Sequence, residues 1–246
     1  MFIADVHLGE ERPDKLSLFQ QFLRGPARRA AALYILGDLF EHFWLGNDDR
    51  KPPNPAVLAE LQAYTAAGRP LFIIRGNRDL LLDRGIETLT GARLLPDLSL
   101  IDLDGQRVLI SHGDVLCTRD VKYQRFRRFA EAAPVRWIFL RLPYSWRERL
   151  VRRLSPAFKQ SAARKRPEIM DVDGDTVIRT MRAFGVQELI HGHTHRPGLH
   201  ELSIDGQAAR RIVLGDWYDK ELILVCRGSE RKLMSIADYI DSNGNE

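Results

Sequence analysis

Short apolar runs that end in polar residues mark the first third of the chain. Leu33–Leu36 and Leu71–Ile74 have the length of a buried strand, and residues 2–4 form a shorter run, so we expect the natural start to lie slightly upstream. Between them, apolar residues recur at helical spacing over residues 16–23 and 57–61. Strands alternating with helices are typical of a partly parallel sheet, in which the polar residues that follow the strands meet at one edge.

The second half of the chain changes pattern. Apolar segments flank an Asp-Gly pair at 104–105 and another at 205–206, and such pairs are typical of hairpin turns. Residues 221–226 and 232–236 have the character of further antiparallel strands. We therefore predict a four-layer α/β fold (α+β in its antiparallel part), with two sheets packed face to face and helices outside.

Residues 118–167 interrupt this pattern with helical signals alone. Ser145 and Glu148 have the spacing of a capping box, and apolar residues follow them on one helical face. We predict that residues 118–167 are an inserted helical cap. The catalytic core would then comprise residues 1–117 and 168–246.

Composition and charge narrow the class of protein. The 246 residues are 44% hydrophobic and 28% charged, which fits a soluble globular domain. No stretch reaches the roughly 18 apolar residues of a membrane span, and no signal peptide opens the chain, so the cytosol is the expected compartment. The net charge is only +4, but residues 122–166 hold fourteen Lys or Arg against two Glu. A segment this basic predicts an anionic partner.

Residues with metal-binding side chains follow five of the apolar runs. They are Asp5 and His7, then Asp38, then Asn77 with Arg78 and Asp79, then His112, and finally His193 with His195. Carboxylate, amide and imidazole ligands without thiolates favour ions such as Mn, Fe, Co or Zn. A carboxylate has two oxygens, so Asp38 is the natural bridge between two ions. Two ions roughly 3.5–4 Å apart support in-line displacement at phosphorus.

Each of these segments alone has an ordinary explanation, such as a polar loop or a tight turn. In this order, however, they resemble the calcineurin-like binuclear metallophosphoesterases, whose pattern is Asp-x-His, Gly-Asp, Gly-Asn, His and Gly-His-x-His. The resemblance implies a double β-sandwich flanked by helices. It also implies that Asp5, His7, Asp38 and His195 hold one metal ion. Asp38, Asn77, His112 and His193 would hold the other.

Arg78 departs from the family pattern, which usually has His after Gly-Asn. Arginine cannot donate a proton as an acid, because its pKa is above about 12. It is suited instead to binding phosphate oxygens with its fork of N–H groups. A phosphate leaving from a pyrophosphate needs no acid, whereas an alkoxide does. The departure therefore favours cleavage of an anhydride over cleavage of a simple ester.

The cap segment combines basic residues with apolar ones. Residues 136–146 are too apolar for a single buried helix face, and aromatic residues recur among arginines from Tyr123 to Phe129. Such a surface suits lipid and its anionic headgroups. Two alternatives are a helix pair that packs on itself, with solvated arginines, and a surface that stacks single-stranded nucleic acid. We favour lipid and expect no nucleic acid.

Within the family, the chain is similar over nearly its whole length to members that act in lipid A biosynthesis. The resemblance implies hydrolysis of UDP-2,3-diacylglucosamine to UMP and 2,3-diacylglucosamine 1-phosphate, by attack of a metal-held hydroxide at the uridine-side phosphorus. It implies two divalent ions, with Mn²⁺ as the expected metal, and peripheral attachment to the cytoplasmic face of the bacterial inner membrane. No obligate protein partner is evident.

The same resemblance assigns roles to individual residues. The catalytic ones would be Asp38, Asn77, Arg78 and His112. Those that contact the substrate headgroup would be Asn77, Arg78, Asp120, Lys165 and His193. Phe158 and Ala162 stand where relatives carry small polar contacts, a departure that affects the headgroup contacts on that helix.

Two other functions stay open at this point. One is a different binuclear-metal phosphodiesterase or nuclease, which an assay with a generic phosphodiester would distinguish. The other is a non-catalytic scaffold of the same fold. Scaffolds usually lose metal ligands, and this chain keeps all seven, which argues against the second alternative.

Overall fold

The computed structural model describes residues 1–42, 48–163, 171–218 and 221–243, with side chains described up to residue 153 in the segment that ends at 163. The predicted contact Lys165 and the side chains of Phe158 and Ala162 lie outside the described residues. None of the helices in the described ranges has the length and hydrophobicity needed to cross a bilayer.

Eleven strands of the described chain form two sheets. They are β1 (Phe2–Ile3), β2 (Leu33–Leu36), β3 (Leu71–Ile74), β4 (Arg93–Leu95), β5 (Ser99–Leu103), β6 (Gln106–Ser111), β7 (Glu188–His191), β8 (Gly198–Ile204), β9 (Gln207–Val213), β10 (Leu222–Arg227) and β11 (Glu230–Ser235). The first sheet has the order β11-β10-β1-β2-β3-β4, and the second has the order β5-β6-β7-β9-β8. Neighbours are parallel from β1 to β4 and across β6, β7 and β9, while the outer pairs β10–β11, β5–β6 and β8–β9 are antiparallel.

The helices lie mainly between the strands and in one long segment. They are α1 (Pro13–Arg24), α2 (Asn54–Ala66), α3 (Gly85–Thr90), α4 (Val121–Glu131), α5 (Ala133–Arg141), α6 (Tyr144–Ala163), α7 (Gly174–Phe184) and α8 (Ile236–Asn243). Helices α4 to α6 fall in the segment predicted to be a cap. The division into that cap and a core of residues 1–117 and 168–246 stays a prediction.

Alternating side chains of the strands create three apolar layers. In β2, Ile35 packs outward with α1 and α2, whereas Leu36 packs between the sheets against residues such as Ile110 and Ile190. On the far side, Leu189 packs with α7. Each fully buried aliphatic side chain contributes about 1.5–3 kcal/mol relative to an exposed one. The predicted four-layer α/β sandwich is confirmed, and the two Asp-Gly turns join β5 to β6 and β8 to β9 as expected.

The topology brings the carboxyl ends of the central strands of both sheets to one edge. The two sheets are joined there, since the N–H of His193, after β7, donates to Asp5 Oδ2, after β1 (2.8 Å). In the first sheet, the N–H of Asp5 donates to the carbonyl of Gly37 (3.1 Å). Loops that follow strands of different sheets therefore face one another across a short distance.

Candidate metal centre

Most of the predicted ligands lie in an uncommon backbone conformation. Asp5, His7, Asp38, His193 and His195 have φ between 51° and 71°, and they are five of the eight non-glycine residues with positive φ in the described chain. This left-handed region costs roughly 1–2 kcal/mol for most residues and persists only where surrounding structure holds it. The chain turns sharply at each strand end, and the side chains point towards a common centre.

The first cluster comprises Asp5, His7, Asp38 and His195. His7 Nε2 lies 4.0 Å from Asp5 Oδ1 and 4.0 Å from Asp38 Oδ2. His195 Nε2 lies 3.4 Å from Asp5 Oδ1. Asp5, His7 and His195 each present one atom within 4.8 Å of the others, which is close enough for one ion.

The second cluster comprises Asp38, Asn77, His112 and His193. His112 Nε2 lies 3.2 Å from Asn77 Oδ1, 3.2 Å from His193 Nδ1 and 3.8 Å from Asp38 Oδ1. The opposite nitrogen of the ring, His112 Nδ1, lies 2.9 Å from the carbonyl of Leu36 and donates to it. When His112 is neutral, as a metal ligand must be, that bond leaves a lone pair on Nε2, which is directed at the other three residues.

Asp38 lies between the two clusters, with Oδ2 towards the first and Oδ1 towards the second. All seven side chains expected to be ligands thus converge. Asp5 also approaches the second cluster, which was not expected: one ligand atom each of Asp5, Asp38 and His112 lie within 4.8 Å of one another. The assignment of each side chain as a ligand stays a prediction.

The unsatisfied polar atoms of this region fit a pair of cations. Among the described residues, His7 Nε2 is buried without a hydrogen-bond partner. Buried polar atoms are normally paired, and the exceptions call for an explanation. In addition, His112 Nε2 and His193 Nδ1 face each other at 3.2 Å. A cation between such atoms would satisfy all of them, so the residues present fit two divalent ions.

Two carboxylates of the clusters have shifted pKa values, in opposite directions. Burial, reinforced by the carboxylates of Asp79 and Asp5, raises the pKa of Asp38 to about 7 against the opposing effect of His112. Burial also acts to raise the pKa of Asp5, but the hydrogen bond from His195 and the nearby imidazoles outweigh it and hold that pKa at about 2.

The pKa values of three histidines in the clusters are shifted as well. Burial acts to lower the pKa of His112, but Asp38 and Asp5 outweigh it and raise the pKa to about 9. The pKa of His195 rises to about 10, because its bonds to Asp216 and Asp5 outweigh burial. Burial and the charge of His112 lower the pKa of His193 to about 4. Protonated His112 and His195 therefore balance the negative charge of the carboxylates. Metal ions would take over that role on binding, and the two protons would be released.

Two carboxylates that orient ligand histidines were not predicted from the sequence. Glu41 Oε2 lies 2.9 Å from His7 Nδ1, and Asp216 Oδ2 lies 2.7 Å from His195 Nδ1. A carboxylate on the second nitrogen of a ligand histidine fixes its tautomer and orientation. The available signals were weak: Glu41 lies three residues after Asp38, and Asp216 belongs to a Gly-Asp pair after an apolar run, as Asp38 does.

The turn that carries Asn77 and Arg78 is built around Asp79. The two oxygens of the buried Asp79 accept the backbone N–H groups of Gly76 (2.6 Å) and Leu39 (3.0 Å). A Cβ on Gly76 would lie 2.5 Å from the backbone nitrogen of Asp38, so only glycine fits there. Asp79 therefore has a structural role in the loop.

Arg78 borders both clusters. Its backbone N–H donates to Asp38 Oδ1 (2.7 Å), and its guanidinium Nη1 lies 3.5 Å from Glu41 Oε1. The side chain is one-third exposed, at 33%. Asp120, a further headgroup candidate, lies at the start of α4, where its carboxylate accepts the N–H of Tyr123 (3.1 Å).

An aromatic side chain that the sequence did not single out flanks the first cluster. The ring of Tyr218 lies 5.2 Å from that of His7 and 6.1 Å from that of His195, centroid to centroid. The ammonium of the buried Lys15 lies 3.5 Å from the centre of the Tyr218 ring. This packing limits the rotation of both histidines.

Two sheets whose facing strand ends carry this set of side chains define a metallophosphoesterase. The sequence model described as calcineurin-like phosphoesterase matches residues 1–197, and the chain belongs to that family. Membership implies divalent metal ions. The family prediction made from the motifs is confirmed.

Curated relatives are similar over most of the chain. The UDP-2,3-diacylglucosamine hydrolase of Aeromonas salmonicida is 45% identical over 95% of this chain and 91% of its own length. The proteins of the same name from Pseudomonas entomophila and Aliivibrio fischeri are each 46% identical, over 88% and 91% of this chain and 90% and 92% of their own lengths.

Proposed function

We propose that this protein hydrolyses the pyrophosphate bond of UDP-2,3-diacylglucosamine, giving UMP and 2,3-diacylglucosamine 1-phosphate, in lipid A biosynthesis. The observation that carries the proposal is the convergence of seven ligand-type side chains, with Asp38 between the two clusters, in a chain 43–46% identical to hydrolases named for this substrate. One water molecule is consumed, and its elements are divided between the two phosphate products.

The two clusters are proposed to hold two Mn²⁺ ions, which share Asp38. Bound divalent ions supply an activated water at neutral pH and offset charge on the phosphoryl oxygens. The chain orients the ligands itself: Glu41 holds His7, Asp216 holds His195, and the carbonyl of Leu36 holds His112. These three bonds keep the metal-facing nitrogens in place.

Arg78 is proposed to bind the phosphoryl oxygens. Its guanidinium is partly exposed beside both clusters and contacts only one carboxylate oxygen, Glu41 Oε1, at 3.5 Å among the described ion pairs. Preorganised N–H donors stabilise charge that grows in the transition state. Since Arg78 cannot release a proton at neutral pH, the leaving group must be stable without one, and the monophosphate of an acylated sugar meets that requirement.

Product analysis tests this function. Purified protein with Mn²⁺ is expected to convert the lipid nucleotide to UMP and the sugar-lipid monophosphate. In H₂¹⁸O, the label should enter UMP alone, because attack is proposed at the uridine-side phosphorus. Mass spectrometry of both products measures this, and Mg²⁺, Co²⁺ and Zn²⁺ are compared in the same assay. Label in the lipid phosphate would reverse the direction of attack. A higher kcat/KM for bis(p-nitrophenyl) phosphate would identify a general phosphodiesterase instead.

Residues 118–167 are proposed to be a lipid-facing cap on a core of residues 1–117 and 168–246, docked at the cytoplasmic face of the inner membrane. Phe129, Trp137, Ile138 and Trp146 of α4 to α6 are each between 57% and 63% exposed. The guanidinium of Arg141 lies 3.5 Å from the ring centre of Trp137. Apolar side chains interleaved with cations suit an anionic lipid surface.

Membrane binding is expected to depend on these side chains. The double substitution Trp137→Ser with Ile138→Ser should weaken sedimentation with phosphatidylglycerol-containing vesicles by about tenfold or more, since it removes two large apolar groups from the interface. Leu199→Ser is the control, because Leu199 is similarly exposed, at 51%, on β8. Equal binding of both variants would contradict the proposal, and tight binding to single-stranded oligonucleotides would favour base stacking in its place.

A further inference from the structure

Arg127, in the middle of α4, contacts three carboxylates. Its Nε donates to Asp114 Oδ2 (2.8 Å), and its Nη2 donates to Asp97 Oδ2 (3.2 Å). Glu131 Oε1, one turn further along the helix, lies 3.2 Å from the same Nη2. The Arg127 side chain is 16% exposed, so these bonds are largely shielded from solvent.

Two of these carboxylates lie directly behind the ligand candidate His112. Asp97 Oδ1 accepts the backbone N–H of His112 (3.2 Å) and the hydroxyl of Ser111 (2.6 Å). Asp114 follows two residues after His112 and also accepts the hydroxyl of Tyr123 from α4. Asp97 and Asp114 thus connect the loop that carries His112 to the guanidinium of Arg127.

Polar side chains of α4 bond directly to the core. None of the residues of α4, all of which are described, is buried. Besides Arg127 and Tyr123, Gln124 Nε2 donates to the carbonyls of Asp114 (2.7 Å) and Cys117 (3.2 Å). Charge-assisted bonds are roughly twice as strong as neutral ones, and the Arg127 bonds are the shielded ion pairs in this group. The position of α4 therefore depends strongly on this one residue.

We propose that Arg127 is a positioning residue that couples the cap to the second cluster. Its guanidinium holds α4 in place and balances the two carboxylates that orient the loop of His112. Cap placement and the geometry of the second cluster then depend on the same bonds. The lipid substrate of the test rests on the proposed hydrolysis, whereas the Mn²⁺ titration rests only on the proposed metal sites.

The test uses Arg127→Met, which keeps the unbranched stem of the side chain and removes the charged guanidinium. In calorimetric titration of the metal-free protein, one of the two Mn²⁺ sites is expected to lose about tenfold or more in affinity, the range seen when partners of ligand residues are removed. The other site should be unchanged. With the lipid nucleotide, kcat should recover at saturating Mn²⁺, while KM stays raised by about tenfold because α4 remains displaced.

Two further variants complete the experiment. Arg182→Met removes a helical arginine that pairs with Asp205 on the surface (2.8 Å), and it should leave Mn²⁺ affinity and KM as in the wild type. Arg127→Lys keeps the charge without the fork, so it should show a smaller loss, and it decides the question if the methionine variant does not fold. Wild-type Mn²⁺ affinity in a folded Arg127 variant would overturn the proposal. A wild-type protein inactive on the lipid nucleotide would refute the proposed function instead and leave the Mn²⁺ titration decisive for Arg127.

Discussion

Asp38→Asn is expected to lower kcat/KM for the lipid nucleotide by about a thousandfold or more. Asp38 faces His7 with one oxygen (4.0 Å) and His112 with the other (3.8 Å), so its loss of charge affects both clusters at once. Metal ions contribute several kcal/mol of transition-state stabilisation, and each 1.36 kcal/mol corresponds to a factor of ten in rate. Steady-state kinetics at saturating Mn²⁺, together with the number of Mn²⁺ ions bound, measure the effect.

At position 38, asparagine tests the loss of charge more specifically than alanine does. Asp38 has a φ of 51°, a region that asparagine tolerates and alanine does not, and the amide oxygen can still accept the N–H of Arg78. The matched control is Asp104→Asn, since Asp104 has a φ of 54° in an exposed hairpin turn. Activity within tenfold of the wild type, with two ions still bound, would show that Asp38 is not the shared ligand.

The convergence of the ligand candidates could be predicted from the sequence, because the direction of parallel strands decides where the residues that follow them lie. Each ligand candidate follows an apolar run, and parallel strands place their carboxyl ends at one edge. The parallel pairings of β1 with β2 and of β2 with β3 bring Asp5, Asp38 and Asn77 to one edge, and the pairing of β6 with β7 brings His112 beside His193. Local order along the chain was sufficient for this part of the site.

The residues that hold the ligands were not predictable in the same way. Asp216 and His195 are 21 residues apart, and Asp97 and Arg127 are 30 apart, with neither pair in a repeating pattern. Such contacts depend on the packing of loops that only tertiary structure brings together. A charged residue in a basic segment is usually solvated, so Arg127 could not be distinguished from its neighbours.

The strands that were missed or shortened have a related explanation. The apolar pattern predicts a strand only over Leu202–Ile204, whereas β8 begins at Gly198, because His200 and Glu201 are exposed on an edge strand and interrupt that pattern. β4 has three residues, of which Arg93 is exposed, so it lacks the periodicity of a strand. Backbone pairing with a neighbouring strand, rather than burial of side chains, defines both elements.

Glu188→Ala is expected to lower the free energy of unfolding by about 3–5 kcal/mol, and so to lower Tm by about 10 °C. Glu188 Oε1 lies 2.7 Å from Arg231 Nε, and Oε2 lies 2.8 Å from Arg210 Nε. Glu188 and Arg231 belong to different sheets, and the side chains of both are 0% exposed. Removing the carboxylate leaves the guanidinium of Arg231 buried without its counter-charge. Thermal and urea unfolding measure the change.

The matched control is Asp205→Ala, which removes an ion pair of the same kind at the surface. Asp205 and Arg182 are 64% and 50% exposed, and water replaces a lost partner there, so the expected change is at most about 1 kcal/mol. The double variant Glu188→Leu with Arg231→Met should recover much of the loss, because a buried ion pair and an apolar pair of similar volume are often comparable in stability. Equal effects of Glu188→Ala and Asp205→Ala would show that the two sheets are held together without this ion pair. Activity at 25 °C should persist in Glu188→Ala, since Glu188 lies at the end of β7 opposite the metal centre.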